Sequence, residues 1–324
     1  MITSCADATC ALDDHPQPRR SRLRRDLRIE HAVYTSDGVC LAVRDYQPTT
    51  AVQHTVVVLH GLCLTYTSWH NQIRRLQRQP GVRIIAYDHR GHGHSTTAPL
   101  RSYTIEQLAG GLADVLTDLA VTGPVTLAGH SMGGMCALAY LARANQPVAP
   151  TGLVLVATAA GGLSDHGLGR LLSTPGLDTL ADMVDHAPRH AAEQTLRALA
   201  KPVCAALARH GGYDTADRTT LAAAVADALH TTPWTTAVGF LRALRNYDHY
   251  ATLSRITAAT TVISGGADIL TPAAHARELA HAIPNAHHIH RPKAGHKLLH
   301  EAARTVTDAI NRTTHPALPA ATGA

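Results

Sequence analysis

The stretch Val125-Thr126-Leu127-Ala128-Gly129-His130-Ser131-Met132-Gly133-Gly134 passes from an apolar run into a glycine-flanked serine and then into a helical pattern. Val125–Ala128 reads as a buried strand, and a helix opens after Ser131. Gly129-His130-Ser131-Met132-Gly133 is therefore a G-x-S-x-G match lying where a strand turns abruptly into a helix, the context that makes such a match informative. A serine at a turn this tight sits in a strained backbone conformation that exposes its hydroxyl. Strand and helix approach closely there, and Gly129, Gly133 and Gly134 supply the space. The helix N-terminus also directs unpaired N–H groups toward the place where an oxyanion would develop. Taken alone, the segment has a lesser alternative, a glycine-rich strand–helix turn with an incidental serine.

The surroundings decide between these readings. Upstream, Ile29–Tyr46 reads as a hairpin with Ser36-Asp37-Gly38 at its turn. Thr55–Leu59 is a continuous apolar strand of the kind buried on both faces of a parallel sheet. A helix follows over Ser68–Gln79, then a strand over Val82–Ala86. Thr104 offers an N-cap for a helix over Thr104–Ala120, in which Ile105, Leu108, Leu112, Val115, Leu116 and Leu119 mark the apolar stripe. Downstream lie a strand at Leu153–Ala157 and another at Thr260–Ser264. A helix over Pro272–Ala282, a short strand at Ala286–Ile289 and a closing helix over Lys297–Ile310 complete the pattern.

Alternating buried strands and helices imply an α/β fold, a mostly parallel central sheet covered by helices on both faces and joined by right-handed crossovers. Residues 158–255 break the alternation with alanine- and leucine-rich helical segments and are expected to form a helical cap inserted in a core of residues 29–157 and 256–310. Residues 1–28 read as a flexible basic leader and 311–324 as a flexible tail. Ligands of such sheets collect outside the carboxyl ends of the strands, and an insertion leaving from one of those ends would roof the site.

Serine is a weak nucleophile until a base takes its proton, and an acid must fix and stabilise that base. His296, in Ala294-Gly295-His296, lies just past the last strand and is the candidate base. Asp268, in Gly265-Gly266-Ala267-Asp268, lies just past the Thr260–Ser264 strand and is the candidate acid. Both belong at the same sheet edge as Ser131, and the order Ser–Asp–His is one in which such triads occur. His60-Gly61-Leu62 follows the Thr55–Leu59 strand, so the Leu62 N–H could join that of Met132 as an oxyanion donor. Losing one such donor costs roughly 3 kcal/mol. His287, His288 and His290 have no carboxylate nearby in sequence and are assigned to surface or packing. Asp88 and Arg90 are expected to tie their loop together by an ion pair or backbone hydrogen bonds, and Trp69, Trp234 and Phe240 to pack.

Composition narrows the field. The 324 residues are 45% hydrophobic, enough for a large core. With 23 histidines, no lone histidine is informative by its presence alone. The net charge of +5 is uneven: six arginines fall between Arg19 and Arg28, opposed only by Asp26, and residues 29–324 carry 23 basic and 20 acidic side chains. The arginine-rich arm could associate weakly with an anionic membrane surface, but no basic patch interleaved with aromatics supports specific nucleic-acid binding. No secretory h-region and no membrane-spanning run is present in the sequence. The scattered cysteines (Cys5, Cys10, Cys40, Cys63, Cys136, Cys204) give neither a disulfide framework nor zinc-ligand spacing, so a reduced, cytoplasmic setting is expected.

At these motifs the chain resembles the α/β-hydrolase superfamily, particularly serine esterases and lipases with a helical cap. The resemblance runs over roughly residues 29–310 and rests on His60-Gly61, Asp88-His89-Arg90-Gly91-His92-Gly93-His94-Ser95, Gly129-His130-Ser131-Met132-Gly133-Gly134, Gly265-Gly266-Ala267-Asp268 and Gly295-His296. It implies Ser131 as nucleophile, Asp268 as acid and His296 as base, with the Leu62 and Met132 backbones as the oxyanion hole. It also implies a small-molecule acyl substrate and water as reactants, with no metal, nucleotide or organic cofactor required. A carboxylic ester of a small or medium-sized lipid-like molecule is the first expectation. Thioesters, lactones and carbon–carbon bonds are the alternatives, and a non-catalytic ligand-binding protein on the same fold is the rival class. Relatives with an aspartate nucleophile, the epoxide hydrolases and haloalkane dehalogenases, fit poorly: Ser131 stands at the nucleophile position, and Cys63 replaces a proline common after the His-Gly pair of epoxide hydrolases.

Overall fold

The computed structural model describes residues 27–163 and 232–314, with positions 179, 182, 187, 188 and 190–196 between them. All but the last two residues of the expected leader, most of the expected cap and the tail beyond Thr314 lie outside the described residues.

Eight strands form one sheet in the order β1-β2-β4-β3-β5-β6-β7-β8. They are β1 (Leu27–Tyr34), β2 (Cys40–Gln47), β3 (His54–Leu59), β4 (Val82–Tyr87), β5 (Val125–His130), β6 (Gly152–Val156), β7 (Ala259–Gly265) and β8 (His287–Arg291). The β1–β2 hairpin and the β2–β4 pair are antiparallel, and every later pair is parallel. Every residue of β3, β5 and β6 is buried, which is why these segments read as unbroken apolar runs rather than alternating ones. Val57, Leu59, Leu127 and Leu155 face a core shared with helices α2 (Ile105–Asp118), α3 (Met132–Ala142) and α6 (Ala273–Ala282). Val56, Val58, Ala128 and Val154 point the other way, into a core shared with α1 (His70–Leu76), α7 (Leu298–Glu301) and α8 (Ala303–Thr314).

Several element ends differ from the expected ones for local reasons. Thr65 caps a tight 3-10 turn over Tyr66–Trp69, so α1 begins only at His70. Thr104 caps α2 as expected, its hydroxyl accepting the Gln107 N–H at 3.1 Å. The closing helix is two helices, parted at Ala302 where φ −127° and ψ 35° leave the helical region. The second runs past Ile310 to Thr314, with Thr313 and Thr314 buried. Between β6 and β7 the chain inserts a helical region. Its described part includes α4 (Trp234–Arg245) and α5 (Tyr250–Leu253). Phe240 of α4 is fully buried against the Tyr103 and His92 rings, 5.2 and 5.7 Å away. This seats α4 against the loop that follows the carboxyl end of β4. Among the described residues no helix is long and apolar enough to cross a membrane.

Candidate active site

Ser131 occupies the single residue between β5 and α3, with φ 51° and ψ −121°. Only a few per cent of non-glycine residues take a positive φ, and a helix opening directly after one leaves no room to relax it. The conformation is fixed from both sides. The Ser131 N–H donates to the Val156 carbonyl at 2.9 Å, while its own carbonyl accepts from the Thr158 hydroxyl at 2.7 Å and the Gly134 N–H at 2.9 Å. Gly133 is obligatory at this turn, because a Cβ there would strike the Leu59 carbonyl.

Asp268 and His296 come from the loops after β7 and β8. The His296 Nδ1 lies 2.9 Å from Asp268 Oδ2 and 3.1 Å from Oδ1. A carboxylate can only accept, so Nδ1 carries the proton and Nε2 is the basic nitrogen. Asp268 is itself held. Its Oδ1 accepts the Leu270 and Thr271 N–H groups at 2.9 and 3.0 Å, and its Oδ2 accepts the Thr271 hydroxyl at 2.9 Å. Burial would raise this carboxyl, but the His296 charge, its hydrogen bond and the Thr271 donors outweigh burial and hold it below its ordinary value. The backbone beside the histidine is anchored too, with the Gly295 N–H donating to Glu301 at 2.6 Å.

The loop after β3 packs against the Ser131 turn. A Cβ on Gly61 would lie 3.2 Å from Ser131 Cβ, so the loop that carries Leu62 abuts the serine. Cys63 takes a positive φ of 58°, and its N–H donates to His92 Nε2 at 3.1 Å. The Tyr66 N–H donates to Asp88 Oδ1 at 2.9 Å. Met132 opens α3, so its N–H is among the first-turn donors that have no acceptor within the helix. Met132 is thus next to the serine in its own turn, and Leu62 follows the Gly61 that abuts it.

Beneath this loop lies a group of buried histidines. His60 accepts the His89 N–H at Nε2 (2.9 Å) and donates from Nδ1 to the Gly61 carbonyl (2.8 Å). Its ring lies 4.4 Å from that of His89 and 5.1 Å from that of His92. Burial pushes His60 down to about 4 and His92 to about 3. His89 is driven well below its ordinary value for the same reason. All are neutral near pH 7.

Asp88 and Arg90 tie down the neighbouring loop, each through a partner outside it. Asp88 pairs with Arg44 at 3.1 Å, and Arg90 pairs with Asp37 at 2.7 Å. His288 Nε2 and His290 Nδ1 both reach the Ser264 hydroxyl, at 2.8 and 2.9 Å, on the edge strand away from the serine. Trp69 and Phe240 are fully buried. Sequence reasoning missed Thr271, Glu301, Thr158 and the contact of His130 with the His296 carbonyl. Only Thr271 left a signal, a hydroxyl three residues past an aspartate, the spacing of a local side-chain turn. Among the described residues no three His, Cys, Asp or Glu side chains cluster as metal ligands would.

A mostly parallel sheet with a strained serine at one strand end and a histidine–carboxylate pair at two others defines a class of hydrolase-like folds. The model of the alpha/beta hydrolase fold family matches residues 54–303, and the chain belongs to that family. Over 109 residues it is 38% identical to a non-heme chloroperoxidase of Kitasatospora aureofaciens, covering 34% of this chain and 37% of that protein. Over 123 residues it is 35% identical to a bifunctional esterase/perhydrolase of Acinetobacter calcoaceticus, covering 38% of this chain and 43% of that one. The matched part is thus less than half the length of these relatives. Among solved structures, the enol-lactonase of Burkholderia xenovorans superposes with a TM-score of 0.63 at 26% identity, over 88% of this chain and 99% of that one. An esterase of Exiguobacterium antarcticum shares the fold with a TM-score of 0.65 at 20% identity, over 88% and 99% of the two chains.

Proposed function

We propose that this protein is a serine hydrolase that cleaves a carboxylic ester of a small or medium-sized lipid-like substrate through an acyl-enzyme. The observation that carries the reading is the His296 imidazole, tethered by Nδ1 to a buried Asp268, at the sheet end where Ser131 is held in a strained turn. In this mechanism His296 Nε2 takes the Ser131 proton as the hydroxyl attacks the carbonyl. The Leu62 and Met132 N–H groups stabilise the negative oxygen, and Asp268 holds the imidazolium that forms. His296 then protonates the leaving alcohol, and a water activated by the same nitrogen releases the acid. The proposed reactants are a small-molecule acyl substrate and water. Esterase, perhydrolase and enol-lactonase are activities named for similar proteins. A lactone is an internal ester and is the second substrate class the reading admits.

The test is a panel of p-nitrophenyl esters of increasing chain length and a set of γ- and δ-lactones, run with the wild type and with Ser131→Ala. Turnover that vanishes in the variant supports the nucleophile assignment, and the preferred chain length reports pocket depth. Turnover that survives in Ser131→Ala sinks it.

A further inference from the structure

His130 stands between two parts of the site that the chain brings together from far apart. Its Nε2 lies 2.9 Å from the His296 carbonyl oxygen, 166 residues away in sequence. A carbonyl only accepts, so Nε2 must carry the ring proton. The two imidazoles lie 5.0 Å apart, tilted by 51°. On the other side, His130 Nδ1 is 3.0 Å from the point a Cβ on Gly61 would occupy, so the ring is wedged against the loop that carries Leu62. Nδ1 is buried and has no hydrogen-bond partner among the described residues. Leaving that nitrogen buried and unsatisfied costs about 1–3 kcal/mol. Burial, with the His296 charge adding to it, pushes His130 down to about 3, so the ring is a neutral donor near pH 7.

We propose that His130 is a positioning residue for His296, holding its backbone carbonyl and so setting where the imidazole stands relative to Ser131. The proposal rests on reading Ser131, His296 and Asp268 as the catalytic triad. Asp268 restrains the rotation of the His296 ring, and Glu301 anchors the preceding backbone. His130 ties that backbone to the strand whose next residue is the serine. The nucleophile–base separation then depends on one hydrogen bond from a neighbouring residue. Catalysis is sensitive to such a separation, because a misplacement of about 1 Å can cost about a hundredfold in rate.

The experiment compares wild type, His130→Leu, His130→Gln and Ser131→Ala on the best substrate of the ester and lactone panel. The rate of Ser131 labelling by a fluorophosphonate is followed by intact mass. His130→Leu is expected to lose roughly 10- to 100-fold in kcat and in labelling rate, with KM within about twofold of wild type. His130→Gln keeps an N–H donor of similar reach and should recover most of that loss. A long-range 1H–15N correlation spectrum of the wild type should show His130 as the neutral Nε2–H tautomer. An Nδ1–H tautomer overturns the proposal, as does a folded His130→Leu with wild-type kcat and labelling, or a Gln variant no better than Leu. If His130→Leu does not fold, the wild-type tautomer decides. Turnover or labelling that persists in Ser131→Ala is a separate failure, that of the triad reading.

Discussion

Ser131 carries a backbone cost that the proposed nucleophile role would account for. Held at φ 51° and ψ −121°, it forgoes roughly 1–3 kcal/mol relative to a relaxed residue. Glycine takes the same conformation freely, at an entropic cost of about 0.5–1 kcal/mol in the unfolded chain. Ser131→Gly should therefore gain about 1–2 kcal/mol and raise Tm by roughly 2–6 °C while abolishing turnover. Scanning calorimetry of the two proteins measures the difference directly. A variant that melts below wild type would mean the turn is not strained, and the argument for an activated serine would lose its physical basis. Asp268 shows the opposite economy, since its position costs burial but the donors around it more than offset that cost. The three residues proposed as the triad stand out in the sequence because each follows a strand and has glycine close by. The contacts that hold them do not, because Thr158, Glu301 and His130 act through hydrogen bonds whose other half is a backbone group that no motif records.

At the scale of elements, β3, β5 and α3 pack so closely that the same substitution has opposite signs at two helix positions. Gly133, in α3, faces the Leu59 carbonyl, and neither backbone can yield to an added methyl group. Gly110, in α2, has nothing nearer than the Arg143 guanidinium at 3.7 Å. Gly133→Ala should lose at least about 1–3 kcal/mol by overpacking, whereas Gly110→Ala should gain about 0.5–1 kcal/mol from helix propensity. Urea unfolding of both variants reads the two signs. A neutral Gly133→Ala would show that the strand–helix approach is looser than these distances. Element boundaries followed the same logic of burial. The strands buried on both faces announced themselves as apolar runs. The sequence pattern puts strand β8, reading His287-His288-Ile289-His290-Arg291, one residue early and two short because its outer edge pairs with no strand among the described residues and tolerates polar residues. The break at Ala302 left no mark, since alanine there reads as a helix former.

Among the described residues of the whole molecule, four imidazoles are buried in their neutral form, and they set its stability against pH. His60, His92 and His130 fall from an ordinary 6.5 to about 4, 3 and 3, and His89 falls well below 6.5, in each case chiefly through desolvation. Below pH 6.5 the unfolded chain binds protons that the folded one refuses. Stability is therefore complete above the unfolded value and is lost as pH falls from 6.5 toward the folded values. Each such histidine contributes a slope of about 1.4 kcal/mol per pH unit once pH is well under 6.5. Four together give roughly 5.6 kcal/mol per unit, comparable with the whole stability of an ordinary domain. Asp37 and Asp268 are lowered from 3.8, so they add their own loss only as pH falls below that value. The two windows are separate. Denaturant unfolding between pH 8 and 4.5 should give a plateau above about pH 7 and a steep fall beginning near 6.5, well before the carboxylates titrate. His89→Phe keeps a ring against His60 and Tyr87, 4.4 and 5.2 Å away, but removes one proton site. It should flatten the slope by about 1.4 kcal/mol per pH unit without moving the onset. A stability curve that stays level down to pH 5 in the wild type would mean that these rings take up protons while folded, and that the space around them admits water.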